Sequence, residues 1–167
     1  MKDKIPGVVV GLVTDNQDPE KTGRLKLKFP TLDDVDSPWA PVAALMSGNN
    51  RGGFYMPEVG DEVLVSFDQG RFDHPYVVGF LWNGKDKPPS DDVKHRLFRS
   101  VNGHEIDIYD PPVTGGDKGY IRIKDAHGNI VELSNAQIKI TSPGTINIQA
   151  PNVIINGRAV VPQPRPI

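Results

Sequence analysis

Apolar and polar residues alternate in short runs along the first half of the chain. Within one such run Val63, Val65 and Phe67 fall on the same face, and in another Leu25, Leu27 and Phe29 alternate with Lys26 and Lys28. A period of two residues is typical of a half-buried strand. Similar alternating or β-branched runs, bounded by Gly, Pro, Asn and Asp, predict five strands at residues 8–14, 23–29, 39–45, 61–67 and 75–82.

No stretch shows the 3.6-residue period that an amphipathic helix would need over about 11 to 18 residues. The chain of 167 residues also contains 17 Gly and 16 Pro, both of which interrupt helices. Five short strands favour a small Greek-key barrel of the OB type, with an SH3-like barrel as the structural alternative. We therefore predict an all-β chain that begins with an OB-fold-like barrel over residues 1–83.

The second half contains a short repeat of apolar pairs two residues apart, separated by turn-forming residues. The last four pairs begin at steps of 7, 8 and 7 residues, which indicates a solenoid-like stack rather than a globule. From residue 120 to the end only seven of 48 residues are charged, and Tyr120 is the only aromatic residue. The pairs are Ile106/Ile108, Ile121/Ile123, Val131/Leu133, Ile138/Ile140, Ile146/Ile148 and Val153/Ile155.

Such a ribbon has one apolar face and no second layer of its own chain to cover it. An isolated ribbon of this kind is marginally stable in water. Three chains wound about one axis would bury the apolar faces and pair the strand edges, since a closed prism needs three faces. We therefore predict an intertwined, triple-stranded β-helix over residues 101–161, with a core formed by Ile121, Ile123, Val131, Leu133, Ile138, Ile140, Ile146, Ile148, Val153 and Ile155.

Composition separates these two regions and limits the chemistry of the chain. Residues 84–100 are charged, contain Pro and lack apolar periodicity, so we predict a linker there; residues 162–167 are predicted to be a flexible Pro-rich tail. The absence of Cys excludes disulfides, thiolate metal sites and a Cys nucleophile. A net charge of −2 gives no general attraction to nucleic acid or anionic lipid.

Several ordered motifs resemble one family. The motifs are similar to the OB region of the central spike of contractile injection systems, which comprises the phage baseplate assembly protein V family and the VgrG spikes of type VI secretion. Two later motifs resemble the entry into the trimeric β-helix of those proteins, and the count of three chains rests in part on this resemblance. The motifs are Gly23–Pro30, Ser37–Val42, Pro57–Phe67, His74–Asn83, Asn102–Ile108 and Tyr120–Lys124.

The resemblance implies a homotrimeric needle that docks on a hub ring and punctures the target envelope mechanically when the sheath contracts. Such a protein would assemble in the bacterial cytoplasm and act at the tail tip of a virion or an extracellular injection particle, touching the target membrane only on firing. The basic residues Arg24, Lys26 and Lys28 form a strip that a solvated barrel face would explain, and docking on the hub is the functional alternative. The short separation between barrel and needle leaves no room for a lysozyme-like domain.

The end of the needle departs from the pattern of some phage spikes, in which a His-x-His apex holds an iron ion. No two of the four histidines, His74, His95, His104 and His127, share that spacing. We therefore predict no metal and no cofactor, and a blunt end capped by a separate PAAR-like tip protein. The candidate contacts for that protein are Ile154, Val160 and Val161.

Two other functions compete with the spike. An OB module that binds nucleic acid could stack bases on Trp39 and Trp82, but no aromatic–basic run accompanies them. A glycosidase on a β-helix would need paired carboxylates, for which the repeat region offers only Asp125 and Glu132. His104, Glu105 and His127 have no nucleophile at a recognisable spacing, so we predict that the chain is not an enzyme. The lack of an aromatic–basic run, together with the net charge of −2, leads us to predict that it binds no nucleic acid.

Overall fold

The computed structural model describes residues 4–112 and 116–160, which form two compact units divided between Pro88 and Pro89. Within these residues the chain is all-β, with one short 3-10 turn at Asp68–Gly70. The described residues include no helix that is long and apolar enough to cross a membrane. The all-β prediction is confirmed.

The N-terminal domain is built on antiparallel strands in the order β3-β2-β1-β7-β8. The short strand β4 pairs with the start of β2, and the next residue, Val42, forms a parallel bridge to Val77 on β8. This connection links β2 to β8 around the core. The strands are β1 (Val8–Asp15), β2 (Arg24–Phe29), β3 (Val35–Asp36), β4 (Ala40–Pro41), β5 (Ser47–Gly48), β6 (Arg51–Gly52), β7 (Glu62–Phe67) and β8 (Pro75–Leu81).

The alternating residues of β2 and β7 supply most of the core, as the period of two predicted. Three aromatic rings, those of Phe29, Phe67 and Phe72, pack with their centroids 5.5 to 5.8 Å apart. Burial of this apolar surface is the main stabilising contribution to such a fold. The buried apolar residues are Val13, Leu25, Leu27, Phe29, Ala40, Val63, Val65, Phe67 and Val77.

Four of the five predicted strands of this domain are present as β1, β2, β7 and β8. The third, predicted over residues 39–45, is reduced to the two residues of β4, because the chain leaves the sheet after bridging β8. The Gly/Asn-rich segment that follows contains the hairpin β5–β6, with Asn49 and Asn50 at its tip. Asn50 adopts a positive φ of 52°, which Asn tolerates better than most residues.

The C-terminal domain is an antiparallel meander in the order β13-β12-β11-β10-β9, followed by a separate two-stranded hairpin. A tight turn joins β12 to β13 through Asn135 and Ala136, both at positive φ, as a two-residue hairpin connection requires. The strands are β9 (His95–Arg99), β10 (Glu105–Tyr109), β11 (Tyr120–Lys124), β12 (Ile130–Ser134), β13 (Gln137–Thr141), β14 (Ile154–Ile155) and β15 (Arg158–Ala159).

Two expectations for this half need correction. The linker predicted over residues 84–100 is too long, because His95–Arg99 form the edge strand β9. This strand is specified by its pairing with β10, and its residues, His-Arg-Leu-Phe-Arg, do not alternate between apolar and polar. Backbone pairing was also expected to run between chains throughout the needle, but the tight turns reverse the chain, so β9 to β13 pair within one chain. The predicted tail, residues 162–167, lies outside the described residues.

Candidate trimerisation site

The meander places its apolar side chains on one face, in two rows that cross the strands. We call this surface the apolar face. The cross-strand register aligns one row as Ile108, Ile121, Leu133 and Ile138. It aligns the second row as Phe98, Ile106, Ile123, Val131 and Ile140.

None of the described residues of the domain covers the apolar face. Its Ile, Val and Leu side chains keep between 37% (Val131) and 70% (Ile138) of their surface exposed, whereas Leu27 and Val65 of the N-terminal core are fully buried. Contiguous exposed apolar surface on this scale marks an interaction site. The apolar face therefore has the character of half of a core that the described residues do not complete.

The opposite face of the meander is polar, and several of its charged side chains are paired within the chain. Asp107 is almost completely buried and accepts hydrogen bonds from His95 Nδ1 at 2.9 Å and from the Tyr120 hydroxyl at 3.0 Å. The Arg122 guanidinium lies 2.7 Å from the Glu132 carboxylate and 4.0 Å from the centre of the Tyr120 ring. These cross-strand contacts clamp β9 to β12 together from the side away from the apolar face.

The local environment shifts the pKa values of two of these groups. The hydrogen bond from Arg122, with a further one from Ser134, lowers the pKa of Glu132. Burial raises the pKa of the Tyr120 hydroxyl, and its hydrogen bond to Asp107 raises it further. Both shifts favour the protonation states that hold the polar face together near neutral pH.

Between Thr141 and β14 the described chain forms no strand pairing with itself. Residues 145–152 form no backbone hydrogen bond with the rest of the described chain, and the next such contact is from the Val160 amide to the Val153 carbonyl at 2.7 Å. Ile146 and Ile148 keep 50% and 66% of their surface exposed. Backbone groups left open in this way need water or another chain as partner, and strand pairing between chains would satisfy them.

The structure brings six of the ten predicted core residues together on the apolar face: Ile121, Ile123, Val131, Leu133, Ile138 and Ile140. Ile146 and Ile148 lie in the unpaired segment, Val153 is half-buried and Ile155 is exposed in β14. Of the predicted tip contacts, Ile154 and Val160 are both exposed, and Val161 lies outside the described residues. The assignment of the ten residues to a trimer core stays a prediction, as does the assignment of Ile154, Val160 and Val161 to a tip contact.

The basic residues predicted to dock on a hub are engaged within their own domain. The Arg24 guanidinium lies 2.7 Å from the Asp18 carboxylate, and Lys26 donates to the Ser37 carbonyl at 3.1 Å. Both cations also lie over the Trp39 ring, at 5.9 and 5.6 Å. Lys28 keeps 42% of its side chain exposed and lies 3.8 Å from the Asp34 carboxylate.

Sequence reasoning did not identify the role of Asp18. Only 4% of its side chain is exposed. It accepts hydrogen bonds from Arg24, from Thr22 and from the Glu20 amide. The Arg24 hydrogen bond is the main reason that its pKa lies well below the usual range of a carboxyl. The run D-P-E-K-T after β1 is a turn signal that could have indicated it.

Among the described residues, no group of three or more His, Asp or Glu side chains is arranged to hold a metal ion. The carboxylates considered for catalysis are instead tied to structural partners. Glu105 accepts from Arg99 at 2.7 Å, Glu132 accepts from Arg122 at 2.8 Å, and Asp125 accepts from the Asn129 side chain at 2.7 Å. Trp82 is 70% exposed and therefore does not belong to the core.

Comparison with known proteins assigns both domains. Residues 9–82 match the family model of the type VI secretion system/phage-baseplate injector OB domain. Residues 95–161 match the model of the phage baseplate V C-terminal trimerisation domain. Together the two matched ranges take in most of the chain. The second match begins at β9, which agrees with the start of the meander.

Curated relatives include the type VI secretion system spike protein VgrG5 of Pseudomonas aeruginosa, which is 33% identical over 72% of this chain and 15% of the relative. VgrG1a of the same organism is 28% identical over 75% of this chain and 22% of the relative. A 58.7 kDa protein of Haemophilus phage HP1 is 30% identical over 66% of this chain and 22% of its own length. The chain thus spans less than a quarter of each of these relatives. It belongs to the phage baseplate V and VgrG spike family, and joins the injector OB domain to the C-terminal trimerisation domain.

Proposed function

We propose that this chain is the central spike of a contractile injection particle and acts as a homotrimer. The observation that carries the proposal is the apolar face, an extended core surface that one chain leaves uncovered, in a domain that matches a trimerisation model. Three such faces packed about one axis would give a continuous apolar core. The work of the spike is mechanical, since it transmits the force of contraction to the target envelope, and it requires no catalysis.

The N-terminal domain attaches the spike to the hub ring in this proposal. Its match to an injector OB domain supports a position in the baseplate. Lys28 keeps 42% of its side chain exposed, against 22% for Arg24, so it is the first residue of the predicted docking strip to test. Nucleic acid is not among the proposed partners, because Arg24 and Lys26 cover the Trp39 ring on which a base would stack.

The distal end of the C-terminal domain carries a separate PAAR-like tip protein in the same proposal. Ile154 and Ile155, the two residues of β14, are both more than half exposed, as is Val160 just after β15. An apolar end surface of this kind suits a cap that binds once per trimer. The particle would assemble in the bacterial cytoplasm and contact the target membrane transiently on firing.

Affinity purification of the tagged chain from the bacterium that produces it tests this function. We expect sheath, tube and hub proteins to be recovered with the chain, and a gold label on the tag to mark one end of rod-shaped particles by electron microscopy. A strain whose chain carries Ile140→Asp serves as the matched control and should yield no labelled particle. Recovery of the chain bound to single-stranded nucleic acid, with no particle components, would contradict the proposal.

A further inference from the structure

The N-terminal domain has an apolar groove at the end where β2 begins and β8 ends. Its volume is about 1000 Å³, and we call it the mouth groove. Leu45 and Phe54 in its lining are 95% and 79% exposed, so the groove exposes far more apolar surface than a solvated loop would. Its main apolar lining residues are Val42, Leu45, Phe54, Tyr55, Met56 and Phe80.

The wall of the mouth groove is a defined structural element. The hairpin β5–β6 forms it, and Gly52 allows the return strand to pass close to Met46. The φ of Gly52 is 144°, and a side chain there would collide with the Met46 carbonyl, which instead accepts a hydrogen bond from the Gly53 amide at 3.0 Å. Glycine is the residue that permits such a close approach of two backbone segments.

Two cations border the groove, those of Lys21 and Arg51. Within the described residues neither of them forms an ion pair. The Arg51 guanidinium folds back across the hairpin beside Gly48. An apolar groove with a basic border is complementary to an apolar side chain flanked by carboxylates.

The same domain carries a segment of that kind at its other end, in residues 33–36, which we call the acidic loop. Val35 is 44% exposed between Asp34 and Asp36. Asp33 and Asp34 adopt positive φ values of 53° and 58°, which holds the loop in a turn. Asp34 lies 3.8 Å from Lys28, whereas Asp33 and Asp36 have no ion-pair partner within the described residues.

Strand β2 separates these two surfaces. The mouth groove adjoins its first residue, and the acidic loop follows its last; a strand of six residues spans about 20 Å. A chain therefore cannot place its own acidic loop in its own mouth groove. The two surfaces can meet only between different copies of the domain.

We propose that the acidic loop of one chain occupies the mouth groove of the next, so that the three N-terminal domains form a closed ring. This inference rests on the proposed homotrimer. Three-fold symmetry requires a heterologous contact, in which two different surfaces of the same chain meet. The trimerisation domain supplies the high effective concentration at which a modest contact of this kind forms.

In the ring, Val35 enters the apolar lining near Leu45, and the aspartates meet Lys21 and Arg51. The absence of native Cys allows a direct test. The double variant Val35→Cys/Leu45→Cys, treated with a short thiol–thiol crosslinker, should run as a covalent trimer on a denaturing gel. Each single variant should run as a monomer.

The matched control pairs Leu45→Cys with Val10→Cys, an exposed position on β1 that belongs to neither the mouth groove nor the acidic loop, and it should give no covalent trimer. Native mass measurement of each variant distinguishes a failure of the proposed ring from a failure of the proposed homotrimer. A native trimer without crosslinking would overturn the ring alone, and a native monomer would overturn the ring together with the homotrimer.

Charge reversal tests the polar part of the contact in the double-Cys background. Arg51→Glu should slow crosslinking by about fivefold or more, because it replaces an attraction with a repulsion. Adding Asp33→Arg should restore the rate. If Arg51→Glu leaves the crosslinking rate unchanged, the border charges do not recognise the acidic loop, and the proposed contact is wrong.

Discussion

Val131 on β12 lies directly opposite Ile140 on β13, and both side chains point away from the polar face into the surroundings of the chain. Val131 is 37% exposed and Ile140 is 59% exposed. A cross-strand apolar pair stabilises a sheet mainly when a further layer covers it. This pair is therefore apolar surface that one chain leaves without a covering layer. Such a layer, supplied by other copies, would reduce the exposure of Val131 and Ile140 more than that of nearby charged residues.

Ile140→Asp tests the orientation of the apolar face. In a trimer it would place three carboxylates in the core, and an unpaired buried charge costs about 3 to 5 kcal/mol. We expect the variant to lose the trimer. Gln137→Asp introduces the same group on the opposite, exposed side of β13 and should keep it. A trimer that survives Ile140→Asp with an unchanged melting temperature would show that another surface mediates assembly.

Leu27→Ala tests the core of the N-terminal domain. The Leu27 side chain is fully buried among the strands of this domain, and such truncations cost about 2 to 5 kcal/mol through lost burial and the cavity that remains. We expect a lower melting transition for this domain in calorimetry of the full chain. Val59→Ala, at a position that is 60% exposed, should change stability by no more than about 0.5 kcal/mol. Equal effects of the two substitutions would contradict the assigned core.

Asp18→Asn tests the carboxylate that organises the turn before β2. The pKa of Asp18 lies below its ordinary value of 3.8 because Arg24 stabilises the ionised form. Its stabilising contribution is therefore fully present above that value and declines as the pH falls below it. In urea unfolding from pH 7 to pH 3, the variant should be less stable at pH 7, and its difference from the native chain should shrink toward pH 3.

The control for that series is Glu58→Gln, because the Glu58 side chain forms no hydrogen bond within the described residues. It should unfold at the same urea concentration as the native chain throughout. A constant difference between Asp18→Asn and the native chain at all pH values would show that the charge of Asp18 is not what stabilises the turn.

Tyr120→Phe tests the polar face. It removes the hydroxyl that donates to Asp107, and a hydrogen bond to a charged group contributes about 1.5 to 3 kcal/mol. The C-terminal domain should lose stability by that order while the trimer persists. Tyr55→Phe, which lies in the N-terminal domain, should leave the C-terminal transition unchanged. Loss of the trimer in Tyr120→Phe would mean that the polar face also takes part in assembly.

The same hydroxyl gives a spectroscopic prediction. Because burial and Asp107 raise the pKa of Tyr120 above its ordinary value of 10.0, ultraviolet titration should show a tyrosine that ionises later than the others. The raised pKa also means that this contribution to stability is present below pH 10 and is lost as the pH rises further. In Tyr120→Phe the late step should be absent. Its persistence in that variant would assign it to another tyrosine.

The sequence predicted elements well wherever a period of two extended over five or more residues. The alternation through Val63, Val65 and Phe67 identified both β7 and its buried face, and the pairs from Ile106 to Ile140 identified the apolar face. Periodicity reports which side of a strand avoids water. For that reason periodicity alone predicted the apolar face, without information on which strands pair.

Features that depend on contacts between distant segments were not predictable in this way. Strand β9 has no period of its own and exists because Asp107 and its neighbours on β10 pair with it. The burial of Asp18 depends on Arg24, which follows after a turn. The turn at Asn135 and Ala136 directs β13 back along β12 within one chain, whereas the repeat alone fitted pairing between chains equally well.

Native mass spectrometry of the purified full-length chain tests the central claim most directly. One chain has a mass of 18.3 kDa, and the uncovered apolar face together with the match to a trimerisation domain predicts a single species at three times that mass. The same species should persist after dilution, since a core shared by three chains is extensive. A chain that remains a monomer at every concentration would contradict the account.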